Sequence, residues 1–135
     1  MILIVDDDTD AREALGELLR QRGYSVICAE NGEAAFNQIR NWNAPPALIL
    51  LDLFMPIMGG QAFLRRARAD RRLRNVPIIV TTADPWAEPP EADAILSKPL
   101  RPETLIAAIR RFLDSPIGLH SMPRVFGKGG YSGLQ

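Results

Sequence analysis

Five short apolar runs constrain this chain more than any other feature. They occupy residues 2–5, 26–29, 47–51, 76–80 and 94–96, and each is almost unbroken. A strand with one wet face alternates apolar and polar residues, so an unbroken run reads as a strand buried on both faces, as in a parallel sheet. Other stretches carry apolar residues at helical spacing. They are Ala14, Leu15, Leu18 and Leu19; Ala35, Phe36 and Ile39; Phe63, Leu64 and Ala67; and Leu105, Ile106, Ile109, Phe112 and Leu113. Asp10 with Glu13 can form a capping box for the first helix, and Gly23 ends it. Asn31-Gly32 opens the second, Gly59-Gly60 the third and Pro102 the last.

Such alternation implies right-handed βαβ units. The expected fold is α/β: a flavodoxin-like, doubly wound, five-stranded parallel sheet in the order 2-1-3-4-5, formed by residues 1–114. In that order the first and third strands are neighbours at the switch point, beyond whose carboxyl ends ligands bind. Residues 115–135 hold five glycines and two prolines without periodicity, and read as a flexible tail too short for a second domain.

Composition limits the function classes. With 47% apolar and 24% charged residues the chain can bury a core. Sixteen basic residues balance sixteen acidic ones, so no net charge draws it to nucleic acid or an anionic membrane. No apolar run approaches the roughly 18 residues of a membrane span. Acids rather than basic residues flank the first run, unlike a secretory signal. Cys28 is the lone cysteine, which excludes an intrachain disulfide and suits a reducing cytoplasm.

The strand ends carry the chemistry. Asp6 and Asp7 follow the first strand and Asp52 the third. If those strands adjoin, three carboxylates meet at one edge of the sheet. Their mutual repulsion is relieved by a hard divalent cation, and oxygen-only ligands suit Mg²⁺. Asp52 is also a candidate nucleophile, because a carboxylate can accept a phosphoryl group. That transfer needs charge neutralisation around three equatorial oxygens. Thr82 ends the fourth strand with a hydroxyl, and Lys98 ends the fifth with a positive charge. A one-residue shift of register would exchange Thr82 with Thr81; counting from Pro77 favours Thr82.

The runs Ile2-Leu3-Ile4-Val5-Asp6-Asp7-Asp8, Leu51-Asp52-Leu53-Phe54-Met55-Pro56-Ile57-Met58-Gly59-Gly60, Pro77-Ile78-Ile79-Val80-Thr81-Thr82-Ala83 and Ser97-Lys98-Pro99 resemble the receiver domains of bacterial response regulators. The resemblance spans residues 1 to about 114. It implies a two-component or phosphorelay protein of single-domain type, a signalling acceptor and not an enzyme. Asp52 would take a phosphoryl group from a sensor histidine kinase or a histidine phosphotransfer protein. Asp7, Asp52 and the backbone carbonyl of Phe54 would ligate Mg²⁺, with Asp6 acting through water. Lys98 would pair with the phosphoryl oxygens, Thr82 would swing to bond them, and Lys98-Pro99 would be cis. Signalling would then pass to a downstream protein target, with no nucleic acid and no membrane involved.

Other readings attach to the same residues. Asp6, Asp8 and Asp10, with Glu17, mimic a calcium EF-hand loop, but Ala11 stands where that loop needs glycine. A hydrolase with an aspartyl-phosphate intermediate would need an acid two residues after Asp52, where Phe54 stands. Phe54 is instead expected to crowd an attacking water and slow the loss of phosphate. Arg65, Arg66, Arg68, Arg71, Arg72 and Arg74 read as a solvated helix terminus whose cations suit the dipole. Cys28 reads as a buried inert thiol and His120 as inert. Trp42 and Trp86 are compatible with surface or partner contacts.

Two departures from the family pattern stand out. Residues 84–92 (Asp-Pro-Trp-Ala-Glu-Pro-Pro-Glu-Ala) occupy the place of a whole helix and its two loops. A mean helix takes about 11 residues and prolines break helix interiors, so that fourth helix should be missing or reduced to a single turn. Ile95 stands where the family often has a switching aromatic. The alternative function is therefore a pseudo-receiver, an interaction module whose phosphorylation switch is altered or absent.

Overall fold

Strand and helix alternate as the apolar pattern requires, in a computed structural model that describes residues 1–114. The expected tail, 115–135, and His120 lie outside the described residues. The elements are β1 (Ile2–Val5), α1 (Thr9–Gln21), β2 (Val26–Ala29), α2 (Gly32–Ile39), β3 (Leu48–Asp52), α3 (Gly60–Ala69), β4 (Ile78–Thr82), β5 (Ala94–Ser97) and α4 (Pro102–Asp114). The sheet has the order β2-β1-β3-β4-β5 with every pair parallel. This is the doubly wound topology that the sequence implies.

Two cores sandwich the sheet. Leu3, Val5, Ile49, Leu51, Ile78, Val80 and Ile95 face α2 and α3, which contribute Phe36, Ile39, Phe63 and Leu64. Ile2, Ile4, Leu48, Leu50, Ile79 and Leu96 face α1 and α4, which contribute Leu19, Leu105, Ile106, Ile109 and Phe112. Each large side chain fully buried here adds about 1.5–3 kcal/mol of hydrophobic stabilisation. The phenyl rings of Phe36 and Phe63 meet at 4.8 Å between centroids, joining α2 to α3.

Several local expectations need correction. β3, β4 and β5 run on to Asp52, Thr82 and Ser97, beyond the apolar runs, because a ladder is built by backbone groups whatever the side chain. At the other end Ala47 lies outside β3, and β4 begins at Ile78, since Val76 N–H is spent in a turn on Leu73 C=O. Asp8, not Asp10, caps α1: its carboxylate accepts the N–H groups of Asp10 and Ala11. Ala14 points to solvent while Leu15 and Leu18 are half-buried. Cys28 is half-buried against the α1–α4 core rather than enclosed.

The crossover from β4 to β5 contains no helix, as its length and prolines require. What holds it is an arginine. Arg68 near the end of α3 donates to the carbonyls of Glu91 (2.9 Å), Arg74 (3.1 Å) and Val76 (2.9 Å), and pairs with Asp93 at 2.7 Å. Asp93 also accepts Ile78 N–H at 2.8 Å, and Gln61 bonds Glu91 at 3.2 Å. Arg72 donates to the carbonyls of Ile39 and Trp42, and Arg66 lies 4.0 Å above the Phe36 ring. The basic cluster is thus no simple solvated terminus. Three of its members tie loops and a helix together, a role set by carbonyls as many as 33 residues away in sequence.

Candidate functional site

Sheet register assembles the site. Val5 pairs with Leu51, so the next residues, Asp6 and Asp52, stand side by side at the carboxyl edge. Asp52 pairs in turn with Thr81 on β4, and Thr82 with Ser97 on β5, which puts Lys98 just beyond. Carboxylate oxygens of Asp6, Asp7 and Asp52 lie within 4.8 Å of one another. The Lys98 ammonium lies 3.4 Å from Asp52 Oδ1 and 3.9 Å from Asp6 Oδ2. Its backbone is anchored by a 2.8 Å bond from Lys98 N–H to Thr82 C=O, and Lys98-Pro99 is cis.

Burial dominates the electrostatics. Asp6 and Asp52 are nearly enclosed, whereas Asp7 is exposed. Burial pushes the Asp52 carboxyl up to about 6; the Lys98 charge opposes this, Asp6 adds to it, and bonds from Lys98 and the Phe54 N–H oppose it. Near neutral pH Asp52 is therefore mostly ionised and nucleophilic, but held in a setting that disfavours its charge. Two buried acids and one exposed acid against one cation form an all-oxygen set that suits a hard divalent ion with waters in its remaining positions. On chemistry and spacing, these residues fit Mg²⁺.

Local devices hold the acids in place. Asp6 Oδ1 accepts Asp8 N–H at 2.9 Å, and Arg12 donates from α1 to Asp6 C=O at 2.7 Å. Sequence reading missed Arg12, because its six-residue separation from Asp6 crosses the loop into α1. Gly60 opens α3 against β3: an added Cβ would sit 2.6 Å from Leu53 Cα and 2.7 Å from Asp52 C=O. Only glycine lets α3 start this close behind β3.

Thr82 and Thr81 are both buried at the end of β4. Among the described residues Thr82 Oγ1 makes no bond to Asp52; it accepts Asp84 N–H at 3.0 Å. The loop after β3 presents Phe54 (62% exposed) and Ile57 (84% exposed) to solvent beside the acids. Ile57 has φ +69°, in the left-handed region that burdens a β-branched residue by about 1–2 kcal/mol. Ile57→Gly should therefore raise stability by roughly 0.5–1 kcal/mol after the entropy cost of glycine. Urea unfolding measures this, and a loss of stability would mean that the Ile57 side chain contributes more than its exposure implies.

Comparisons with known proteins identify the family. Residues 2–110 match the family described as the response regulator receiver domain. The phosphate regulon transcriptional regulatory protein PhoB of Escherichia coli is 33% identical over 116 residues, covering 81% of this chain and 49% of PhoB. The chain spans about half the length of the curated relatives it matches. The receiver domain of sensor histidine kinase PA1611 from Pseudomonas aeruginosa, solved with a magnesium ion coordinated in its active site cleft, superposes with a TM-score of 0.76 at 28% identity, covering 84% of this chain and 97% of that one. The response regulator TrrA of Thermotoga maritima, solved with Mg²⁺ and BeF, gives 0.74 at 30% identity over 83% of this chain and 97% of its own. Among the described residues no helix is long and apolar enough to cross a membrane.

Proposed function

Since the chain belongs to the response-regulator receiver domain family of two-component signalling, we propose that Asp52 accepts a phosphoryl group from the phosphohistidine of a sensor kinase or phosphotransfer protein. The observation that carries this reading is the gathering of Asp6, Asp7 and Asp52 within 4.8 Å, with Lys98 3.4 Å from Asp52. An Asp52 carboxylate oxygen forms the new bond to phosphorus as the bond to the donor imidazole breaks. Lys98, 3.4 Å from Asp52 Oδ1, would pair with the phosphoryl oxygens and offset the charge arriving there. Thr82 supplies a hydroxyl from the adjacent strand, β4. Asp7, Asp52 and the Phe54 carbonyl would hold Mg²⁺, with Asp6 acting through water, and the ion would neutralise the transferring oxygens. The domain works in the cytoplasm and signals by protein contacts. That PhoB is a transcriptional regulatory protein concerns the whole of PhoB, of which this chain matches 49%.

The test is acetyl phosphate with Mg²⁺. The chain should gain the mass of one phosphoryl group, and chelating the metal should prevent the gain. The missing helix and the engagement of Thr82 by Asp84 favour a second reading, the pseudo-receiver with an altered switch. No mass gain under these conditions would select it.

A further inference from the structure

The crossover between β4 and β5 is bonded directly to the hydroxyl that the acceptor chemistry would use. Thr82 Oγ1 accepts Asp84 N–H at 3.0 Å. The Asp84 carboxylate accepts Trp86 N–H at 2.9 Å, and Asp84 C=O accepts Ala87 N–H at 3.3 Å. Two hydrogen bonds therefore separate the hydroxyl from Trp86, whose side chain is 86% exposed. The next residue, Ala87, packs against the core, so the ring is held outward from an anchored backbone.

The far half of the crossover is braced separately, through Glu91 and Asp93, by Arg68 and Gln61. The near half is where the Thr82 bond acts. A second path from Thr82 through β5 has no ring to move: Ala94–Ser97 contains no aromatic, and Ile95 is 1% exposed in the core. Close packing leaves such a residue little freedom.

We infer that the Asp84–Ala87 turn is the moving part of this receiver, and that Trp86 is the side chain through which the state of Asp52 reaches the surface. This rests on the acceptor reading. A phosphoryl group on Asp52 brings three strong acceptor oxygens to the edge of β3, one strand from β4. To bond one of them, the Thr82 side chain turns about χ1 and carries its oxygen away from Asp84 N–H. A backbone N–H left unpaired in a half-buried position is unfavourable, so the turn rearranges, and Trp86 moves with it. The switch is one of order and position in a short loop, in place of a shifting helix.

The experiment uses Trp42→Phe protein, in which Trp86 is the sole tryptophan. Intact mass and acrylamide quenching of Trp86 are measured together, before and after acetyl phosphate with Mg²⁺. The expected result is a mass gain accompanied by changed quenching. Adding Asp84→Ala should keep the mass gain and weaken the change, because it removes the carboxylate bond to Trp86 N–H while leaving the Asp84 N–H bond to Thr82. Amide exchange of residues 83–87 in the unsubstituted chain reports the same motion should Trp42→Phe fold poorly. A mass gain with unaltered quenching and exchange overturns the inference, as does a full change in the Asp84→Ala protein. No mass gain sinks the acceptor reading itself and the inference with it.

Discussion

Asp52→Asn is expected to abolish phosphoryl uptake and, in chelator at pH 8, to make the fold more stable than wild type. The first effect follows from the nucleophile, since an amide oxygen does not form the acyl phosphate. The second follows from the raised carboxyl. Asp52 is pushed from 3.8 to about 6, first by burial and then by Asp6, against the opposing pull of Lys98. A group whose folded value is raised contributes stability that is complete below its unfolded value and is lost as pH rises through its folded value. Asp52 thus stabilises the metal-free fold near pH 4, and that contribution disappears above about pH 6. The shift corresponds to on the order of 3 kcal/mol, and the amide should recover about 1–3 kcal/mol of it at pH 8. The advantage should shrink as pH falls towards 4. Mg²⁺ should stabilise wild type by mass action and the variant much less. Denaturant unfolding across pH 4–8, with chelator and with Mg²⁺, measures all of this. An Asp52→Asn protein less stable than wild type at pH 8 in chelator would show that the Lys98 pairing outweighs the desolvation.

Arg68→Met is the second large effect, a loss of about 2–4 kcal/mol. Methionine keeps an apolar stem of similar length and removes the donors. It leaves the Asp93 carboxylate, 31% exposed, without its cation, and the carbonyls of Glu91, Arg74 and Val76 without their Arg68 donor. Removing one partner of a partly buried charged pair costs more than the pair contributes, because the other charge stays desolvated. Arg68→Lys should recover only a small part, since one ammonium does not reproduce a planar fork that reaches four groups. Urea unfolding gives the free energy, and amide exchange in residues 89–93 should speed up in the methionine variant. A loss below about 0.5 kcal/mol would mean that water substitutes for the guanidinium and that the crossover is braced elsewhere.

Much of this protein is legible without coordinates. An apolar run buried on both faces is a local signal, and five of them with helical stretches between admit few right-handed topologies. The acids, the lysine and the threonine were readable as candidates because each ends such a run. So was the shortness of residues 84–92, because a helix needs length and tolerates no interior proline. Asp84, two residues after Thr82, is also a local pattern: a hydroxyl that captures the second N–H onward.

Other features needed the tertiary structure, because they depend on groups distant in sequence. Nothing around Arg68 announces Glu91 or Asp93, 23 and 25 residues on, so a side chain that braces the crossover read as a solvated cation. The N-cap moved from Asp10 to Asp8 because the cap belongs to wherever the backbone first turns helical. The candidate acceptor Asp52 likewise divides in two. Its identity is written in the sequence, as a carboxylate ending a buried strand. Its raised carboxyl and its 3.4 Å lysine were decided by sheet register and burial, which bring four strand ends together. Periodicity specifies which face of an element is apolar; only packing specifies what that element touches.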